Sequence, residues 1–129
     1  MIGLVVVSHN RKLAEEIINF SNGMKQFDFP VENGGGTSGE IYGTEPQIIM
    51  DAVKRADKGE GVLIFVDLGS SIMNTEMALE ILGNPEKIYI VDAPLVEGVI
   101  SGVAGNFPGI SVEELKQISE ESKNFIKIK

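Results

Sequence analysis

The sequence predicts an α/β fold: an open, mostly parallel sheet of four to five strands with helices on both faces. Three observations carry this prediction. Short β-branched runs alternate with segments whose apolar residues recur at helical spacing, the pattern of βαβ units. Three of the runs end on residues able to do chemistry: His9, Asp67 and Asp92. Glycine, proline and asparagine punctuate the junctions, as at Asn22-Gly23 and Gly83-Asn84-Pro85. The 129 residues suit one domain, read as spanning 1–129.

Taken in order, Ile2 to Val7 is a β-branched run fit for a strand buried on both faces. After Ser8-His9-Asn10, the residues Leu13, Ala14, Ile17 and Ile18 mark a helix that stops at Asn22-Gly23. Phe27 to Val31 alternates and predicts a second strand, with Pro30 pointing to an edge or an end. Asn33 to Gly43 holds five glycines and predicts a loop. Glu45-Pro46 opens a helix carrying Ile48, Ile49, Ala52 and Val53.

Gly61 to Val66 is the strongest strand and ends at Asp67. The turn Leu68-Gly69-Ser70-Ser71 leads into a helix through Met73, Met77, Leu79 and Leu82. Met50, Met73 and Met77 are expected in the core, although Met73 lies close enough to the turn to serve a binding surface. Lys87 to Val91 is the fourth strand, and Pro94 to Gly105 predicts a helix. Gly98 and Gly102 have the spacing for close packing, on the sheet or across a dimer. Ser111 and Glu114 form a capping-box pattern for a helix to about Lys123. Phe125 to Lys129 is a candidate fifth strand.

Composition narrows the chemistry. With 11 basic and 19 acidic side chains the net charge is −8, which disfavours nucleic acid and anionic membranes as partners. No cysteine is present, so thiol nucleophiles and thiolate metal sites are excluded. A single histidine excludes multi-His metal sites. No metal and no cofactor are expected. No stretch has the length of a membrane span or the pattern of a signal peptide, so a cytoplasmic location is expected.

In an open parallel sheet, ligands gather at the carboxyl ends of the strands, where the strand order switches. His9 sits at such an end. It is a candidate general base or phosphoryl acceptor, against the plainer reading that Ser-His-Asn only helps to cap a helix. Asp67 suits the orienting role on the other ring nitrogen and is also a common helix-cap residue. Asp92 has the same placement. Gly69, Ser70 and Ser71 offer N–H groups and hydroxyls at a helix N-terminus, a natural phosphate cradle. Gly36, Thr37 and Ser38 are a second candidate cradle, against the plainer reading of a mobile linker. The glycine-rich loop is neither a Walker A loop nor a dinucleotide fingerprint, so the chain is not expected to hold a nucleotide by itself.

Four segments together carry a resemblance: Val6-Val7-Ser8-His9-Asn10, Gly34-Gly35-Gly36-Thr37-Ser38-Gly39, Asp67-Leu68-Gly69-Ser70 and Asp92-Ala93-Pro94-Leu95-Val96-Glu97-Gly98. In this order the sequence resembles the DhaM family, phosphotransferase subunits of PTS-dependent dihydroxyacetone kinase, and more broadly the mannose-type enzyme IIA fold. The resemblance implies a phosphoryl acceptor at His9 supported by Asp67. It implies HPr as donor and, as acceptor, ADP bound to DhaL, which works with DhaK. It also implies a homodimer, and a stand-alone carrier dependent on separate donors. Two alternatives stay open. One is a IIA component of a mannose-class sugar phosphotransferase transporter, discharging to a IIB domain. The other is a non-catalytic regulatory or ligand-binding domain, which leaves His9 without a role.

Overall fold

The computed structural model describes all residues, Met1–Lys129. Four strands are present: β1 (Gly3–Val7), β2 (Val31–Asn33), β3 (Val62–Val66) and β4 (Ile88–Val91). They form one sheet in the order β2-β1-β3-β4, every pair parallel. The helices are α1 (Arg11–Asn22), α2 (Pro46–Ala56), α3 (Gly69–Ile81), α4 (Leu95–Gly105) and α5 (Val112–Glu120). All residues of β1 and β3 are buried, so these central strands are apolar throughout instead of alternating.

Two cores sandwich the sheet. On one face Leu4, Val6, Leu63 and Phe65 meet Ala14 and Ile17 of α1, Val99 and Val103 of α4 and Leu115 of α5. On the other, Val5, Val7, Ile64 and Val66 meet Ile49 and Val53 of α2 and Ala78 of α3. Alternate residues of β1 and β3 thus serve opposite cores. No helix is long and apolar enough to cross a membrane.

Three expectations are corrected. The second strand is Val31–Asn33, and Phe27–Pro30 precede it. Only Val31, Glu32 and Asn33 reach the register of β1, opposite Leu4, Val5 and Val6. Phe29 is nevertheless buried, which accounts for its apolar signal without a strand. Phe125–Lys129 forms no strand; the chain leaves α5 through a 3-10 turn at Glu121–Asn124, and Phe125, Ile126 and Ile128 are exposed. The sheet therefore has four strands. Met73 and Met77 are exposed, as are Leu68, Ile72 and Ile81, whereas Met50 is buried as expected. The buried positions of α3 are the small residues Ser71, Thr75 and Ala78, with Leu79 half-buried against the core, so this helix presents Ile72, Met73, Met77 and Ile81 outward.

Glycines mark close approaches. Gly98 and Gly102 lie against the Phe65 ring of β3, which is the sheet-packing reading of their spacing. At Gly3 a Cβ would stand 2.0 Å from the carbonyl oxygen of Ala56, where β1 begins beneath the end of α2. Both backbones are fixed by the sheet and the helix, so neither can give. Gly3→Ala is therefore expected to cost about 3 kcal/mol of folding stability. A urea midpoint unchanged from wild type contradicts that packing.

Candidate functional site

The strand order places the site. From β1 the chain crosses to β2 on one side, while β3 pairs on the other, so the order switches between β1 and β3. A crevice opens there at the carboxyl ends. His9 follows β1 by one residue from Ser8, and Asp67 directly follows β3. Residues 58 apart in sequence thereby meet: His9 Nδ1 and Asp67 Oδ1 are 2.9 Å apart.

Asp67 is the hub. Its Oδ1 also accepts from the Leu68 N–H at 2.7 Å and the Ser71 hydroxyl at 2.7 Å. Its Oδ2 accepts from the Ser8 hydroxyl at 2.9 Å and the His9 N–H at 3.0 Å. Burial pushes this carboxyl up. The Ser71 hydroxyl, the N–H groups of His9 and Leu68, and the His9 ring more than reverse that, and hold it well below the usual carboxylate range. A carboxylate accepts only, so the ring must place its proton on Nδ1. In the neutral ring Nε2 is then unprotonated, and accepts from the Ser70 hydroxyl beside it. The ring is 26% exposed, reachable from solvent while held on its Nδ1 side.

Local sequence explains the turn geometry. Asn10 caps α1, its side-chain oxygen accepting from the N–H groups of Lys12 and Leu13 at 2.9 and 3.2 Å. His9 is thus freed from capping duty. Leu68 is the N-cap of α3 and offers no side-chain bond, so the first N–H groups of that helix, at Gly69 and Ser70, point from its positive end without a partner in the chain.

The glycine-rich loop is fastened to the same turn. Gly36 donates to the Ser8 carbonyl at 2.9 Å, and Gly43 to the His9 carbonyl at 2.8 Å. Gly36 has φ +79°, and a Cβ there would meet Arg11 at 2.8 Å. Arg11 donates to the carbonyls of Gly35 and Thr37. Asn74 of α3 reaches Thr44 at the far end. A hollow of about 400 Å³ results, lined by His9, Gly36 and Thr37 among others. The Thr37 hydroxyl is bonded to the Ile41 carbonyl, and the Ser38 hydroxyl to Glu45. Ser70 lies at His9, and Ser71 at both Asp67 and His9 Nδ1. Asp92 is exposed, pairs with Lys123 and is not part of this cluster.

Sequence reasoning missed two contributors. Ser8 is fully buried, and its hydroxyl links Asp67 to the Asn10 N–H. Its position beside the histidine at a strand end was a usable signal. Arg11 touches a loop 24 to 26 residues away, a pairing that no local pattern announces.

Known proteins match this chain in sequence and in fold. The family model for the PTS system fructose IIA component matches residues 3–116. The phosphoryl donor subunit DhaM of PEP-dependent dihydroxyacetone kinase 2 from Listeria innocua is 34% identical over 119 residues, covering 91% of this chain and 95% of that one. The DhaM phosphotransferase subunit of Lactococcus lactis is 29% identical, covering 92% of this chain and 94% of that one. The phosphoryl donor subunit DhaM of Providencia stuartii is 29% identical across 95% of this chain, which spans 27% of that longer protein. A crystal structure of a protein of unknown function superposes with a TM-score of 0.82 at 26% identity, covering 93% of each chain. The EIIA component from Streptococcus agalactiae shares the fold, with a TM-score of 0.71 at 16% identity, over 96% of this chain and 93% of that one. An all-parallel sheet with its one histidine at the strand switch, matched along nearly its whole length to such subunits, belongs to the DhaM family of mannose-type IIA phosphoryl carriers.

Proposed function

We propose that His9 carries the phosphoryl group, accepting it from HPr and passing it to ADP bound on DhaL, in an assembly with DhaK. The observation that carries this reading is the Nδ1–Asp67 bond, which leaves Nε2 as the ring nitrogen with an available lone pair, shared in the unloaded state only with the Ser70 hydroxyl. In loading, that lone pair attacks the phosphorus of the donor phosphohistidine. The donor nitrogen leaves with the bonding pair, and the Nδ1 proton stays on His9. The ring becomes cationic, and the adjacent Asp67 carboxylate stabilises it. In discharge a β-phosphate oxygen attacks the same phosphorus. The P–Nε2 bond breaks toward a neutral imidazole, so no proton need move.

Such transfers depend on positioning and on stabilising equatorial oxygens. We assign this to the N–H groups of Gly69 and Ser70 and the Ser70 hydroxyl; Gly36 and Thr37 line the loop side of the hollow, but the Gly36 N–H and the Thr37 and Ser38 hydroxyls are bonded within the chain. In the unloaded state Ser71 serves Asp67. The exposed Leu68 and Met73 give the site an apolar rim of the kind protein partners cover. The carrier is read as a cytoplasmic homodimer; a single-chain mass by sedimentation equilibrium overturns the dimer.

The test reconstitutes the relay with phosphoenolpyruvate, enzyme I and HPr. One acid-labile, base-stable phosphoryl group per chain is expected by intact mass, and its discharge to DhaL–ADP should yield ATP. No phosphorylated species, or discharge to a IIB domain and not to DhaL–ADP, overturns the reading.

A further inference from the structure

The hollow beside His9 contains two cations that the loading chemistry does not use. Arg11 and Lys12 both line it. Arg11 spends N–H groups of Nε and Nη2 on the carbonyls of Gly35 and Thr37, at 3.3 and 3.0 Å, and keeps its other N–H groups free. The Lys12 amine has no partner in the chain. Elsewhere Arg55, Lys116, Lys123 and Lys127 each pair with a carboxylate, whereas Lys54, Lys58, Lys87 and Lys129, like Lys12, do not, so what distinguishes Arg11 and Lys12 is their place at the hollow beside His9. Only one carboxylate, Glu40, lines the same hollow. In a chain of net charge −8, two cations without a carboxylate partner, both lining the hollow that His9 lines, mark a place for an anion.

The two half-reactions differ in how many anions they bring together. Loading moves one phosphoryl group between two imidazoles. Discharge brings a diphosphate against a phosphoryl group that is already anionic, and their mutual repulsion grows as the partner closes the site and excludes water. A cation beside both groups lowers that barrier and does little for loading.

We propose that Arg11 and Lys12 form an anion subsite for the diphosphate of the acceptor nucleotide, so that they accelerate discharge of His9 selectively over loading. This rests on the reading of His9 as a carrier that discharges to a nucleoside diphosphate. Arg11 has a second duty, since its guanidinium fastens the loop against the His9 turn. Lys12 has none, and its substitution isolates the charge.

Rapid-quench single turnovers separate the two steps. Wild type, Lys12→Gln, Arg11→Gln, Arg11→Lys and Glu40→Gln are each loaded from phosphorylated HPr, purified, and discharged to DhaL–ADP. Lys12→Gln should lower the ratio of discharge to loading rate about tenfold. Arg11→Gln should lower that ratio at least as much, and Arg11→Lys should recover most of it. Glu40→Gln should raise it, and added salt should slow discharge less in Lys12→Gln than in wild type. Equal slowing of both steps, or neither slowed, in Lys12→Gln overturns the subsite. Wild type that never loads overturns the carrier reading, and wild type that loads without discharging to DhaL–ADP overturns the acceptor and the subsite with it.

Discussion

His9→Ala is expected to leave a folded protein that carries no acid-labile phosphoryl group, its loading by phosphorylated HPr falling by at least about 10⁴-fold. The size follows from the inventory. No cysteine and no second histidine exist to take over. The hydroxyls nearest the site, those of Ser8, Ser70 and Ser71, lie at Asp67 or at the ring with no other base to activate them. The fold should survive because the His9 ring is only partly buried and joins neither hydrophobic core. The His9 N–H bond to Asp67 is backbone and persists in the variant. Circular dichroism and intact mass on the same sample read both halves of the prediction. A His9→Ala protein that still gains one phosphoryl group at the wild-type rate places the acceptor elsewhere.

Asp67→Asn is the second large effect, about 10³-fold in loading rate. The carboxylate accepts five donors, three at Oδ1 and two at Oδ2. An amide cannot. With its NH₂ at the Oδ1 position it faces Nδ1 and drives the proton to Nε2, which removes the nucleophilic lone pair. With its NH₂ at the Oδ2 position it opposes the His9 N–H, which cannot turn round, and a half-buried donor is orphaned. Either orientation also removes the negative charge that balances a cationic ring. Loading within a fewfold of wild type contradicts the orienting role.

The same substitution has a pH signature in stability. The folded-state carboxyl of Asp67 lies below its unfolded value of 3.8. Such a group contributes stability that is present above the unfolded value and is lost as pH falls through the folded one. The urea midpoints of wild type and Asp67→Asn should therefore differ most near pH 7 and converge as pH drops below about 4. A gap constant down to pH 3 contradicts the donor set described for this carboxylate.

Much of this site was legible before the fold. His9, Asp67 and Ser70 stood out because a short apolar run that ends on a polar residue, followed by a helix start, marks the carboxyl edge of a parallel strand. The elements that failed did so for physical reasons. Phe27–Pro30 looked like a strand because Phe29 is buried, but burial does not require pairing. Phe125–Lys129 alternates, yet alternation is a capacity for one-sided burial, and no neighbouring strand receives it. Met73 and Met77 read as core because helical spacing does not say which face turns inward. Small residues of α3, Thr75 and Ala78, took the inward face.

By itself the sequence determined the class of fold, the absence of thiol chemistry and the presence of a single imidazole just after the first strand. Those follow from residue types and short-range periodicity, which need no partner to be read. The tertiary structure decided the tautomer, the five-donor grip on Asp67, and the meeting of Arg11 with the glycine-rich loop. Each of these depends on distances between residues 24 to 62 positions apart, set by strand order and not by any local pattern.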